Sequence, residues 1–133
     1  MATRQRPISP FMIGPYYRPQ LTSVLSIIHR GTGVFLVLGA LMLVAYLLAA
    51  ANGPQAFATA NACAYSLPGK GFALASLFAL AYHFFNGVRH LLWDIGWGYE
   101  LSRTYATGYA VVALSILSTF AIAMLAWNAG GAA

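Results

Sequence analysis

Charge is scarce in this sequence, and negative charge scarcest of all: Asp94 and Glu100 are its only carboxylate side chains, and charged residues make up 7% of the 133. Soluble domains carry roughly a quarter charged residues, so the composition excludes an ordinary soluble fold. Cysteine is nearly absent as well. Cys63 stands alone, which excludes an intrachain disulfide and leaves no basis for a cysteine-built metal or redox site; it is assigned to a loop. The basic residues are also too few and too scattered for a nucleic-acid surface. The net charge of +5 comes from six arginines and one lysine, most of them beside apolar stretches.

What fills the chain instead is hydrophobic, at 60% of residues. A helix needs about twenty apolar residues to cross a hydrocarbon core. Three stretches are long enough: Gly31 to Ala51, Gly71 to about Leu92, and Thr104 to Trp127. The expected fold is therefore an all-α membrane protein with three transmembrane helices. Its helices are placed at about 22–51, 69–93 and 104–128 within one membrane-anchor domain covering 1–133. Three helices enclose little interior, so a chain that puts histidine and arginine there is expected to share a heteromeric helix bundle with another subunit.

Arg4, Arg6, Arg18 and Arg30 precede or open the first span, and Arg89 and Arg103 flank the turn between the second and third. Lys70 is alone on the opposite side. This asymmetry predicts an N-terminus on the cytoplasmic or matrix side and a C-terminus outside. Residues 1–21 contain Pro7, Pro10, Pro15 and Pro19, which favour extended structure and interrupt the apolar run a signal peptide would need. With Phe11, Met12, Tyr16 and Tyr17 they read as an inner-side docking segment for a soluble partner. Thr22 or Ser23 is expected to cap the first helix. The stretch from Asn52 to Lys70, rich in Gly, Pro, Asn and Ser, is expected to be a short outer loop without a chemical motif.

The chemistry concentrates in HFFNGVRHLLWD, residues 83–94. On a helix His83, Gly87, His90 and Asp94 share one face. The uncharged run that leads into His83 puts this imidazole near mid-membrane, where polar side chains are costly and mark functional paths. Counting at about 1.5 Å per residue, His29 and His90 fall nearer the inner face, so no other histidine of the chain is expected at the level of His83. If His83 ligates a haem iron, the second axial position must then be filled by another subunit or remain open, with Arg30, His29 and His90 where carboxylates of the haem would emerge. A neutral imidazole hydrogen-bonded to a neighbouring helix is the alternative. On the first helix Ser26 and Arg30 are i and i+4, with His29 beside them, so one turn carries a hydroxyl, an imidazole and a guanidinium. Alone, that cluster also fits a helix-end anchor reaching for headgroups. Trp93, Trp97, Tyr99 and Tyr105 read as an aromatic belt. Asp94 and Glu100 read first as partners for Arg89 or Arg103. The third span has no ionisable residue and is assigned packing only.

Two motifs, SxxSIxHRxTG from Ser23 and HxxxGxRHLxxD from His83, together with RPISP near the N-terminus, resemble the cytochrome b membrane-anchor subunit of succinate dehydrogenase, respiratory complex II, over the whole chain. The resemblance implies that His83 is an axial ligand of haem b, shared with a second small membrane-anchor subunit. It implies that His29, Arg30 and His90 surround the haem propionates, and that Ser26, Ile27 and Arg30 contribute to a ubiquinone site. It implies flavoprotein and iron–sulfur partners, residence in a bacterial or mitochondrial inner membrane, and no succinate chemistry in this chain. The alternative is a haem-free anchor for a soluble respiratory enzyme. A transporter is disfavoured by the uncharged third span.

Overall fold

The computed structural model describes residues 18–130, which form four helices: α1 (Leu21–Ala51), α2 (Pro54–Tyr65), α3 (Leu67–Asp94) and α4 (Leu101–Gly130). Three of them, α1, α3 and α4, are long and apolar enough to cross a membrane. At 1.5 Å per residue each exceeds the roughly 30 Å hydrocarbon core, so their ends reach the headgroup layers. The expected docking segment, with Arg4, Arg6 and the aromatic residues 11–17, lies outside the described residues apart from its last few positions.

Two boundaries differ from expectation for local reasons. α1 begins at Leu21, with Gln20 at the N-cap and no side-chain cap. The Gln20 carbonyl already accepts from the Val24 N–H at 3.1 Å, which leaves Thr22 and Ser23 inside the first turn instead of capping it. The expected outer loop is largely helical. Pro54 enters α2 at its first turn after Gly53 (φ 108°), an arrangement that suits both residues. The Ala-rich stretch that follows has good helix propensity. Cys63 therefore sits exposed on a helix, not in a loop. Tyr46 of α1 hydrogen-bonds Asn61 at 2.5 Å, and the Phe57 ring meets the Tyr46 ring edge-on.

Ser66 closes α2 and opens α3: its hydroxyl donates to the Cys63 carbonyl at 2.6 Å and accepts from the Gly69 N–H at 3.2 Å. A Cβ at Gly69 would collide with the Cys63 and Ala64 carbonyls, so the corner requires glycine. After α3, Gly96 (φ 84°) and Gly98 (φ 92°) turn the chain into α4, and the Thr104 hydroxyl holds the turn by donating to the Gly98 carbonyl at 2.9 Å.

α3 is the central element, packed against α1 on one side and α4 on the other. The α4 face it meets carries Gly108, Val111, Ser115 and Thr119, all buried and spaced at three or four residues. The hydroxyls of Ser115 and Thr119 return their hydrogen bonds to α4's own backbone, at 2.6 Å each, so they expose no unsatisfied group at the contact. Leu25, Tyr82 and Val111 form the enclosed core, flanked by Leu21, Phe85 and Val112. Tyr82 is 2% exposed and donates its phenol proton to the Leu25 carbonyl at 2.8 Å, tying α3 to α1. Most other large apolar residues remain exposed, and none of the most apolar stretch of α1 is buried within this chain.

Gly108 is where α4 reaches α1. A Cβ there would stand 2.9 Å from Leu25 Cδ1 and 3.1 Å from Leu21 Cδ2. Gly108→Val is expected to overpack this point and destabilise the bundle by about 1–3 kcal/mol. Gly71→Ala, with nothing within 4 Å of the added carbon, is expected to leave stability unchanged. Thermal unfolding of the detergent-solubilised complex measures both, and equal melting temperatures for the two variants would contradict the assignment of Gly108 as the tight contact.

Candidate functional site

The three histidines of the chain meet where the N-terminal half of α1 packs against the C-terminal half of α3. The His29 and His83 rings stack with centroids 3.9 Å apart and planes within 11°, and the His90 ring lies 5.2 Å from His29. The expectation that no other histidine reaches the level of His83 is therefore corrected. His29 is eight residues, roughly 12 Å, from the start of α1, and His83 eleven residues, roughly 16 Å, from the end of α3. In antiparallel helices those depths differ by little more than the reach of an imidazole. α1 begins within one residue of its expected start, so the difference lies in the level at which the two helices meet.

The stack depends on glycine. A Cβ at Gly33 would lie 3.1 Å from His83 Cε1, so any larger residue would press on the ring. His83 Nδ1 lies 3.2 Å from the His29 carbonyl and 3.3 Å from Thr32 Oγ1. A carbonyl can only accept, so Nδ1 carries the proton. Thr32 spends its own hydroxyl proton on the same His29 carbonyl at 2.8 Å. The other ring nitrogen of His83, Nε2, is thereby left with its lone pair, the form in which histidine binds a metal. His29 Nδ1 is buried and lacks any hydrogen-bond partner among the described residues. Unsatisfied buried polar atoms of this kind call for an explanation, such as a bound group.

Beside the cluster, Ile28, Thr32 and Phe35 from α1 and Ala75, Phe78 and Ala79 from α3 line an open apolar cleft of ≈ 340 Å³. Toward the start of α1, Arg30 Nε donates to the Ser26 carbonyl at 3.3 Å, so the expected pairing of positions 26 and 30 holds. Arg30 and Ile27 are exposed and Ser26 half-buried. The four expected residues on the α3 face separate into two pairs. His83 and His90 flank His29, whereas Asp94 is exposed and Gly87 has nothing within 4 Å of its would-be Cβ.

Arg89 departs most from expectation. Read as a cation beside a turn, it is in fact 3% exposed. Its Nε donates to Thr107 Oγ1 at 3.1 Å, Nη2 to the Thr104 carbonyl at 3.0 Å, and Nη1 to Asn86 Oδ1 at 3.4 Å. The guanidinium also lies 4.1 Å from the centre of the Trp93 ring. Trp93 thus stacks with a cation and meets His90 edge-on at 5.1 Å, rather than acting as a membrane-belt residue alone. The ion pair anticipated for one of the two carboxylates is found between Glu100 and Arg103 at 3.1 Å, an exposed i,i+3 contact of little energetic weight.

Asn86 is the residue that sequence reasoning missed. It is fully buried, and its Nδ2 lies 3.4 Å from His90 Nε2. A carboxamide three residues after His83 and four before His90, inside an apolar span, was the available signal. Thr32 was passed over in the same way.

Comparison with known proteins gives the family. The family model described as succinate dehydrogenase/fumarate reductase transmembrane subunit matches residues 2–122. The succinate dehydrogenase cytochrome b556 subunit of Rickettsia typhi is 38% identical over 92% of this chain and 91% of its own length. That of Paracoccus denitrificans is 37% identical over 84% and 85%. The mitochondrial cytochrome b560 subunit of Bos taurus is 36% identical over 92% of this chain and 73% of its own. With three membrane-length helices, a histidine cluster between two of them and matches that run nearly end to end, the chain belongs to the succinate dehydrogenase/fumarate reductase transmembrane subunit family.

Proposed function

We propose that this chain, together with a second small membrane-anchor subunit, holds haem b and forms part of the ubiquinone reduction site of a succinate:ubiquinone oxidoreductase, with the iron–sulfur and flavoprotein subunits docked on its inner face. The observation that carries the reading is the state of His83. Its Nδ1 proton is committed to the His29 carbonyl, which orients the ring and leaves Nε2 basic at the membrane interior. The orphaned His29 Nδ1 alongside it supplies the test of fit. A buried nitrogen with no partner and a histidine held in its ligand tautomer suit a group carrying both a metal and polar substituents.

Bound there, haem supplies a one-electron redox centre whose potential the surrounding groups tune. The chain's own residues do the rest. His83 Nε2 would hold the iron from this side, and a second anchor subunit would supply the opposite ligand. His29, His90 and Arg30 would offer donors to carboxylates, with Arg30 as the only permanent cation of the three. Ser26 lies nearly one turn before His29, toward the start of α1, and the Arg30 side chain reaches back to its carbonyl. A hydroxyl and a guanidinium there can hydrogen-bond a quinone carbonyl and stabilise the negative charge that develops as it is reduced, with exposed Ile27 as an apolar wall. Succinate oxidation belongs to the flavoprotein. The arginine distribution supports an inner-membrane protein with its N-terminus on the cytoplasmic or matrix side.

Reduced-minus-oxidised spectra of the purified complex test the haem assignment. The parental complex is expected to show a b-type band, and His83→Ala is expected to lose or weaken it while the three spans still insert. A complex with no such band would leave the haem-free anchor as the function. Ser26→Ala and Arg30→Ala are both expected to lower quinone reduction while succinate oxidation by an artificial acceptor is retained. Arg30→Ala should be the more severe because it removes a charge as well as a donor, whereas the serine loses one neutral hydrogen bond of about 1 kcal/mol. Parental quinone KM and inhibitor sensitivity in the assembled variants would remove these residues from the site. Topology is testable without mutation, since Cys63 is the sole cysteine and exposed on α2. An impermeant maleimide should label it in intact cells, and labelling only after permeabilisation would reverse the orientation.

A further inference from the structure

Arg89 and Asn86 form a chain of hydrogen-bond constraints that ends on His90. A guanidinium only donates, so the Asn86 atom facing Arg89 Nη1 at 3.4 Å is the carbonyl oxygen Oδ1. The amide nitrogen Nδ2 then faces His90 Nε2 at 3.4 Å, and an amide nitrogen donates. His90 Nε2 must accept, so the proton of the neutral ring resides on Nδ1. We propose that Asn86, oriented by Arg89, locks His90 in the Nδ1–H tautomer, making both of them positioning residues for a donor that His90 offers to an anionic group in the histidine cluster.

Three features support the device. Asn86 is fully buried and Arg89 3% exposed, so water does not compete for either contact. Arg89 is fixed independently of Asn86 by its bonds to Thr107 and the Thr104 carbonyl on α4 and by the Trp93 ring. The orientation of Asn86 is therefore imposed from the α4 side, not set by His90. Arg89 also has no carboxylate partner among the described residues, so its cationic field is unneutralised near the ring it orients. At about 100° per residue Arg89 lies roughly a quarter turn from His90, and Asn86 is what connects the α4-facing side of α3 to the histidine side. That the recipient is a haem carboxylate rests on the function proposed above. The tautomer lock does not.

The test uses the intact complex with 15N-labelled histidine, with the haem in its reduced low-spin state, and with the His90 signals assigned by their loss in His90→Gln. Solid-state 15N spectra are expected to show Nδ1 protonated and Nε2 bare in the parent. In Asn86→Leu, which keeps the Arg89 bonds to α4, the ring is expected to populate both tautomers. A protonated Nε2 in the parent, or a single unchanged tautomer in Asn86→Leu, overturns the lock. If Asn86→Leu does not assemble, Asn86→Asp serves: its carboxylate still accepts from Arg89 but offers only acceptors to His90, so Nε2 must carry a proton, and a bare Nε2 in this variant overturns the proposal. The second measurement is the haem midpoint potential. Asn86→Leu should shift it in the His90 parent and leave it unmoved in the His90→Gln background. Equal shifts in both backgrounds, or none in either, overturn the part of the proposal in which His90 faces the anion. A complex without haem would fail the function reading while leaving the tautomer result intact.

Discussion

Hydrocarbon offers no hydrogen bonds, and each polar group that α3 carries into the membrane must find its partner inside the bundle. A charged side chain on a membrane helix costs about 3 kcal/mol or more unless it is shielded or paired. Arg89 meets that demand by facing α4, where a threonine hydroxyl, a backbone carbonyl and an indole face surround it. His83 meets it by facing α1, through the His29 carbonyl and Thr32. The two requirements lie on different sides of α3, which explains why α3 is in the middle. Tyr82 and Asn86, both buried, complete the polar core along the same helix.

α1 depends on this arrangement in turn. Its apolar surface is left uncovered by the rest of the chain, and its inner half is held mainly by the Tyr82 bond to Leu25, the histidine stack and the Gly108 approach. In a lipid environment exposed apolar residues carry no penalty, so a thin three-helix assembly is tolerable. The open cleft beside Thr32 and the unpartnered His29 nitrogen are another matter. They are incomplete as they stand, and they fit a proposed role in which a group bound between this chain and a second anchor subunit finishes the bundle.

Residue patterns were enough to identify the class of protein. The near absence of charge and three apolar runs of membrane length leave one architecture open, because only helices satisfy their own backbone in lipid. The histidines and the Ser26–Arg30 pair were legible for a related reason: polar residues in such runs are rare, and spacing alone tells which of them share a helical face. The short helix α2 was not legible, since Gly, Pro and Asn signal a loop unless Pro54 is recognised as a helix opener and Ser66 as a cap shared by two helices.

Spacing along one helix cannot say which neighbour each face will meet, and that is where the linear reading ended. Arg89 looked like a topological cation because its position in the chain is near a turn, yet its side chain points inward to α4, a contact between residues fifteen and eighteen positions apart. The stack of His29 on His83 joins residues on antiparallel helices whose relative depth depends on where each helix starts. Composition and periodicity therefore give three spans of membrane length and put all three histidines on the first two. The level at which those spans meet, and with it the proton positions on His83 and His90, follows from packing, because a tautomer is set by the atoms across the gap rather than by neighbours in the chain.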